Sequence, residues 1–312
     1  MNPFAQTIGH KTAQDVLLRM FAHDRPPHAL LFVGPSHVGK THMAHALMRS
    51  LLQTDLAFEA CADVSILKRD HDEKTGKHKS QISVTQVRLL VERLNLSSMN
   101  GKWKIAFIEE AHLFSVGAAN ALLKTLEEPK GQTLLILRAP SVESVLPTIA
   151  SRCQFIRLSV VSREEIASAL GKRGLSPTEA RHLAARSLGR PGLALRYIQD
   201  GELRAQKELA TDQVHTLFSA NLYEQFQSVM GILPKAEADK ARVLARVLDD
   251  WSEVLRDDLL HAIGCNGWCF DQADAPKVSV EKTTHALRRV QEVRDALRHH
   301  SNPHLALEHL FL

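Results

Sequence analysis

Short apolar runs alternate with amphipathic stretches over the first half of the chain. Residues 28–33 (HALLFV) end on a glycine, and residues 104–108 (KIAFI), 133–137 (TLLIL) and 155–158 (FIRL) are three further runs. Runs this short, bounded by turn formers, predict strands, and the first two read as buried. Between them the spacing becomes helical. Met43, Leu47, Leu51 and Leu52 make one stripe over residues 41–53, and Val84, Val87, Leu90, Val91 and Leu94 make a second over 84–94. A third helix over 118–127 is stopped by Pro129, which cannot continue a helix. Strand and helix in alternation predict an α/β fold, a parallel sheet covered by helices on both sides.

Strand signals cease after about residue 159. Residues 162–170 read as a helix with Ser162 as N-cap and Glu164 and Glu165 in its first turn, where carboxylates suit the positive end of the helix dipole. Residues 177–187 and 192–199 read as two more helices. From about 206 onward the pattern is helical, broken near Pro234 and again at 264–276, where GCNGWCF and DQADAPK read as a loop. Residues 68–80 (KRDHDEKTGKHKS) are the one charge-dense stretch. They read as a solvated loop, with a DNA-touching loop as the alternative.

Composition narrows the class. The 312 residues suit two or three domains. Hydrophobic residues at 44% support a sizeable core, and a formal charge of +4 is compatible with DNA nearby without requiring it. Four cysteines are too few and too scattered for a disulfide framework. The opening MNPFAQTIGHKTAQ has no apolar core of secretory type, and no run approaches the ~18–20 apolar residues of a membrane span. A cytoplasmic protein with no membrane partner is the expectation.

The chemistry is concentrated in three motifs. Gly34-Pro-Ser-His-Val-Gly39-Lys40-Thr41 fits G-x-x-x-x-G-K-[ST] between a strand and a helix. Glycines let backbone wrap phosphate, and the helix N-terminus turns free N–H groups toward the anion. Lys40 can reach the β and γ phosphates of ATP, and the Thr41 hydroxyl can ligand Mg²⁺. The second motif, KIAFIEEAH, ends a strand on Glu109 and Glu110, acidic groups beside the phosphates. Glu109 would help hold Mg²⁺ and Glu110 would polarise an attacking water. Where aspartate is usual, Glu109 is one methylene longer, and a ~1 Å misplacement can cost ~10²-fold in rate. The third motif is Ser151-Arg152-Cys153, just before the last strand. From the residues alone, Arg152 is an arginine at a sheet edge that could stabilise phosphoryl charge on a neighbouring molecule.

Taken together, IGHKTAQDVLLR, RPPHALLFVGPSHVGKT, ISVTQVRLLVERL, FIEEAHLFSVGAANALLKTLEEP, VLPTIASRC, LGRPGLAL and NPHLALEHLFL resemble the clamp-loader branch of AAA+ proteins over nearly the whole chain. The tail resembles bacterial delta-prime subunits of that branch. The resemblance implies a RecA-like nucleotide-binding core (1–159), a helical lid (160–205) and a helical collar for oligomerisation (206–312). It implies motor subunits of the gamma/tau type and a clamp-opening delta subunit as partners, with the sliding clamp and primed DNA reached through the assembly. It makes Arg152 a finger acting in trans on a neighbour's ATP.

Several positions depart from an active loader ATPase. Besides Glu109, the polar sensor after the third predicted strand falls at Ala139 or Pro140, and the lid arginine falls at Gly192, with Arg190 close by. ATP binding without hydrolysis is the reading these departures favour. An ATP-hydrolysing motor subunit and a stand-alone AAA+ DNA-binding or helicase-loading factor are the alternatives. The four-cysteine zinc module of many relatives reduces here to Cys61, so no zinc is expected. Cys265 and Cys269, with His261 upstream, read as ordinary small core residues.

Overall fold

The structure is a computed structural model. It describes residues 2–22, 26–54, 56–71, 78–99, 103–219, 224, 237–265, 279–298, 302–308 and 310. The chain divides into two compact units, residues 1–180 with 187–193, and residues 181–186 with 194–312.

The first unit is built on a five-stranded, wholly parallel sheet. In chain order the elements are α1 (Lys11–Ala22), β1 (Ala29–Val33), α2 (Lys40–Leu52), β2 (Val64–Leu67), α3 (Val84–Asn95), β3 (Lys104–Ile108), α4 (Val116–Glu127), β4 (Thr133–Ala139), α5 (Pro147–Ala150), β5 (Gln154–Arg157) and α6 (Arg163–Gly171), with α7 (Pro177–Arg186) beginning in this unit and ending in the second. The strand order is β2-β3-β4-β1-β5. The apolar runs are continuous because the sheet has a core on each face. Leu31, Ala106, Ile108, Leu135 and Leu137 point to one, against Val87, Leu90 and Leu94 of α3 and Leu122 and Leu126 of α4. Their neighbours Leu30, Phe32, Ile105, Phe107, Leu134 and Ile136 point to the other, against Leu17 of α1 and Met43, Ala44 and Leu47 of α2. The alternation is the two-residue period of a strand.

The predicted strands and helices are present, with differences at their edges. β2 and α1 are additional. β2 has four residues and pairs only with β3, at the sheet's edge. β4 extends to Ala139, two residues past the apolar run, because its register with β1 continues through Phe32–Arg138 and Val33–Ala139. Ser162 caps α6 by accepting from the Glu165 N–H at 3.2 Å. α3 carries a capping box between Ser83 and Gln86, a two-ended seal of its first turn. After β5 the described residues hold helices and turns, with no strand.

The second unit contains α9 (Gly201–Ser219), α10 (Glu237–Ala262), α11 (Val280–Arg298) and α12 (Pro303–Glu308), while α8 (Pro191–Gln199) begins in the first unit and ends in the second. Its core gathers Val214 and Leu217, Leu244, Leu248 and Trp251, and Val290 and Val293. His215 of α9 meets the Asp258 carboxylate of α10 at 3.2 Å, and that hydrogen bond raises its pKa against the opposing effect of burial. Cys265 is exposed rather than in a core. Cys269, the side chain of His261, the break near Pro234 and most of the 264–276 loop lie outside the described residues.

Candidate functional site

The strand order places β1 between β4 and β5, so the chain reverses its direction of sheet-building beside β1. Ligands of open parallel sheets bind outside the carboxyl ends of the strands at such a point. The Gly34–Thr41 loop leaves β1 there. Gly34 has φ +148°, and a Cβ on it would lie 2.0 Å from the Leu158 carbonyl oxygen. Its N–H donates to Pro140 O at 3.1 Å. Gly39, left-handed, is the N-cap of α2. Lys40 and Thr41 therefore open a thirteen-residue helix whose free N–H groups face the loop. Lys40 Nζ donates to the Gly34 and Pro35 carbonyls, at 2.5 and 2.6 Å. Burial, and then the charge of Arg138, pull its pKa down to about 8.

A cleft of about 520 Å³ opens on this loop, walled also by Glu109, Glu110, His112, Arg138, Ala139, Pro140 and Gly192. That volume suits a small ligand. The loop, the acidic pair and both empty sensor positions are thus brought together, while Arg152 is not on the wall. Ala139 and Pro140 offer no side-chain donor. Gly192 donates its N–H to His37 O at 2.8 Å, and a Cβ there would sit 2.8 Å from that same oxygen. Only a glycine lets this backbone lie against the phosphate loop, so an arginine does not fit where the lid sensor is expected. Arg190, two residues earlier, does not line the cleft.

Both carboxylates are engaged. Glu109 meets Lys68 at 3.0 Å and Arg138 at 3.5 Å. Glu110 receives two bonds from Arg69, Nε at 2.7 Å and Nη2 at 2.9 Å. Burial acts against the charge of Glu110, but the Arg69 bond and the charges of Arg69, His112 and Arg138 outweigh it and hold its pKa below the usual range. A carboxylate so held is a weak base. Lys68 and Arg69 come from the charge-dense stretch. The start of that stretch is therefore anchored to the acidic pair rather than simply solvated, and its 72–77 portion lies outside the described residues.

Arg138 was not legible as a site residue, though it follows a buried apolar run directly. Its Nε donates to the Glu109 carbonyl at 2.7 Å and its Nη1 to Thr41 Oγ1 at 2.5 Å. The two side chains read as Mg²⁺ ligands, Thr41 and Glu109, thus both face one guanidinium. A divalent cation does not fit this arrangement.

Arg152 follows α5. Its Nη1 donates to Thr148 O at 3.0 Å and Ser151 Oγ at 3.3 Å, and its Nε to Glu127 Oε1 of α4 at 2.8 Å. The side chain is 35% exposed, so part of the guanidinium reaches solvent. Cys153 beside it is partly buried, which pushes its thiol up to about 12, an unreactive group. Cys61 is also partly buried.

The family model described as DNA polymerase III, delta subunit, matches residues 9–162. The chain is 30% identical over 266 residues to DNA polymerase III subunit delta' of Haemophilus influenzae, covering 83% of this chain and 76% of that one. It is 33% identical over 258 residues to the subunit of the same name from Pseudomonas aeruginosa, covering 75% and 73%. A DNA polymerase III gamma subunit-related protein of Thermotoga maritima has a similar fold, with a TM-score of 0.55 at 15% identity over 96% of this chain and 97% of that one. Among the described residues no helix is long and apolar enough to cross a membrane.

Proposed function

This chain belongs to the family of DNA polymerase III delta-prime subunits, and we propose that it acts in the clamp loader as a brace that does not hydrolyse ATP and lends Arg152 to the nucleotide site of a neighbouring motor subunit. The observation that carries this reading is the setting of Arg152. It stands off the chain's own cleft, partly exposed, and is aimed by Glu127, Thr148 and Ser151. A guanidinium held in one orientation loses little entropy when it meets a neighbour's phosphates.

The chain's own cleft supports binding more than turnover. The N–H groups at the start of α2, with Lys40 and Arg138, are the groups that would hold a nucleotide's phosphates. Hydrolysis needs a free carboxylate to activate water, and Glu110 is tied to Arg69. The intact loop is the observation that favours the alternative, an ATP-hydrolysing motor subunit. The engaged carboxylates and the missing sensor side chains weigh against it. On this reading residues 1–159 are the AAA+ core, 160–205 the lid and 206–312 the collar. The partners are gamma/tau-type motor subunits and the clamp-opening delta subunit in the cytoplasm, with the sliding clamp and primed DNA engaged through the complex.

Size-exclusion chromatography of the chain mixed with those subunits tests the assembly. Co-elution in one complex is expected. Separate elution at every mixing ratio would overturn the reading.

A further inference from the structure

The geometry points to a phosphate cleft that takes a nucleoside di- or triphosphate without a divalent cation, Arg138 standing where magnesium would. The inference rests on the proposed retention of nucleotide binding and deepens it.

Magnesium in such a site needs oxygen ligands at about 2.0–2.1 Å in near-octahedral array, and usually keeps several waters. The two protein oxygens suited to it are committed. Thr41 Oγ1 accepts from Arg138 Nη1 at 2.5 Å. The Glu109 carboxylate faces Arg138 Nη2 at 3.5 Å and Lys68 Nζ at 3.0 Å. Arg138 is itself fixed by a third contact, from Nε to the Glu109 carbonyl. It comes from β4, whose register sets Arg138 opposite Phe32, one residue before β1 ends and the loop begins. A dication between Thr41 and Glu109 would have to displace a guanidinium clamped at three points, and would sit beside its charge.

The guanidinium can perform part of magnesium's office. Its planar fork carries five N–H donors. Two donate, to Thr41 and the Glu109 carbonyl, and the Nη2 end pairs with the Glu109 carboxylate at 3.5 Å, on a side chain that lines the cleft with Lys40. Two cations in one cleft repel each other in its empty state, and a polyphosphate relieves that repulsion. Arginine gives charge and hydrogen bonds to phosphate but no coordination geometry for a metal-bound water. The same substitution that holds nucleotide thus withholds catalysis.

Isothermal titration of the full chain with ADP and with ATP, in EDTA and in excess MgCl₂, tests this. The expected result is binding in EDTA at least as tight as in magnesium. Arg138→Gln, which keeps a donor toward Thr41 but loses the charge, should weaken binding in EDTA by about tenfold to a hundredfold. It should also make binding stronger with magnesium than without. Binding by the wild-type chain that appears only with magnesium overturns the inference and leaves the nucleotide-binding reading standing. No binding in either buffer overturns both. The wild-type comparison needs no variant, so it holds even if Arg138→Gln does not fold.

Discussion

Alanine at position 34 is expected to cost the first unit about 3 kcal/mol of stability and to abolish nucleotide binding, since strained backbone and overpacking each cost about 1–3 kcal/mol. At φ +148° a Cβ on Gly34 would meet the Leu158 carbonyl oxygen at 2.0 Å, far inside contact distance. That oxygen belongs to backbone. Leu158 is held by its own N–H bond to Val33 O at 2.8 Å, so it cannot swing aside as a side-chain tip would. Relief requires β5 to move away from β1 or the loop to leave its path. Either change removes the carbonyl that Lys40 grips. Urea denaturation followed by circular dichroism, with ADP titration of any folded variant, checks both parts. A variant with wild-type midpoint and wild-type affinity would show that the loop does not run as described.

Trp251→Ala should have an effect of similar size in the second unit, about 3–5 kcal/mol, the range for removing a buried large aromatic. Trp251 is fully buried on α10 between Leu248 and Leu255 and belongs to the cluster that joins α9, α10 and α11. Among the described residues of that core no other side chain is as large, so its loss leaves a cavity that the leucines and valines around it must close. Thermal melts are expected to show the helical unit's transition shifted down by many degrees. An unchanged melt would mean that the core does not depend on α10 as drawn.

What the sequence made legible follows from what is local. The loop declares itself because its glycines, Lys40 and Thr41 are contiguous and lie between a strand and a helix. The buried strands declare themselves because both faces of each are apolar. β2 was harder to read, since VSIL at a sheet edge has one paired neighbour and runs straight into charges at Lys68. Arg138 was harder still. Its meaning lies in the register of β4 against β1 and in contacts with Thr41 and Glu109, 97 and 29 residues away. Arg69 likewise acquires a role only when β2 is set beside β3, which brings it to Glu110 across 41 residues. Gly192 could be aligned with a missing arginine, but that the position is closed to side chains is a matter of its approach to His37.

These contacts give the departures from an active ATPase a common form. The sensor side chains are absent, and both carboxylates and Thr41 face a cation of the chain's own. Glu110 is occupied by Arg69, and Thr41 and Glu109 by Arg138. Arg152, partly exposed and off the cleft, is held by the Glu127 carboxylate.

The central claim is that this chain completes a neighbour's site and does not turn over its own. The most direct test is steady-state ATPase of the loader reconstituted with wild-type motor subunits and this chain as wild type, Arg152→Ala or Lys40→Ala. The account predicts that Arg152→Ala removes the contribution of one motor site, slowing that site by about a thousandfold, in line with the loss of an arginine finger. A complex whose turnover ignores Arg152→Ala and falls with Lys40→Ala would contradict it, and would make the chain a motor in its own right.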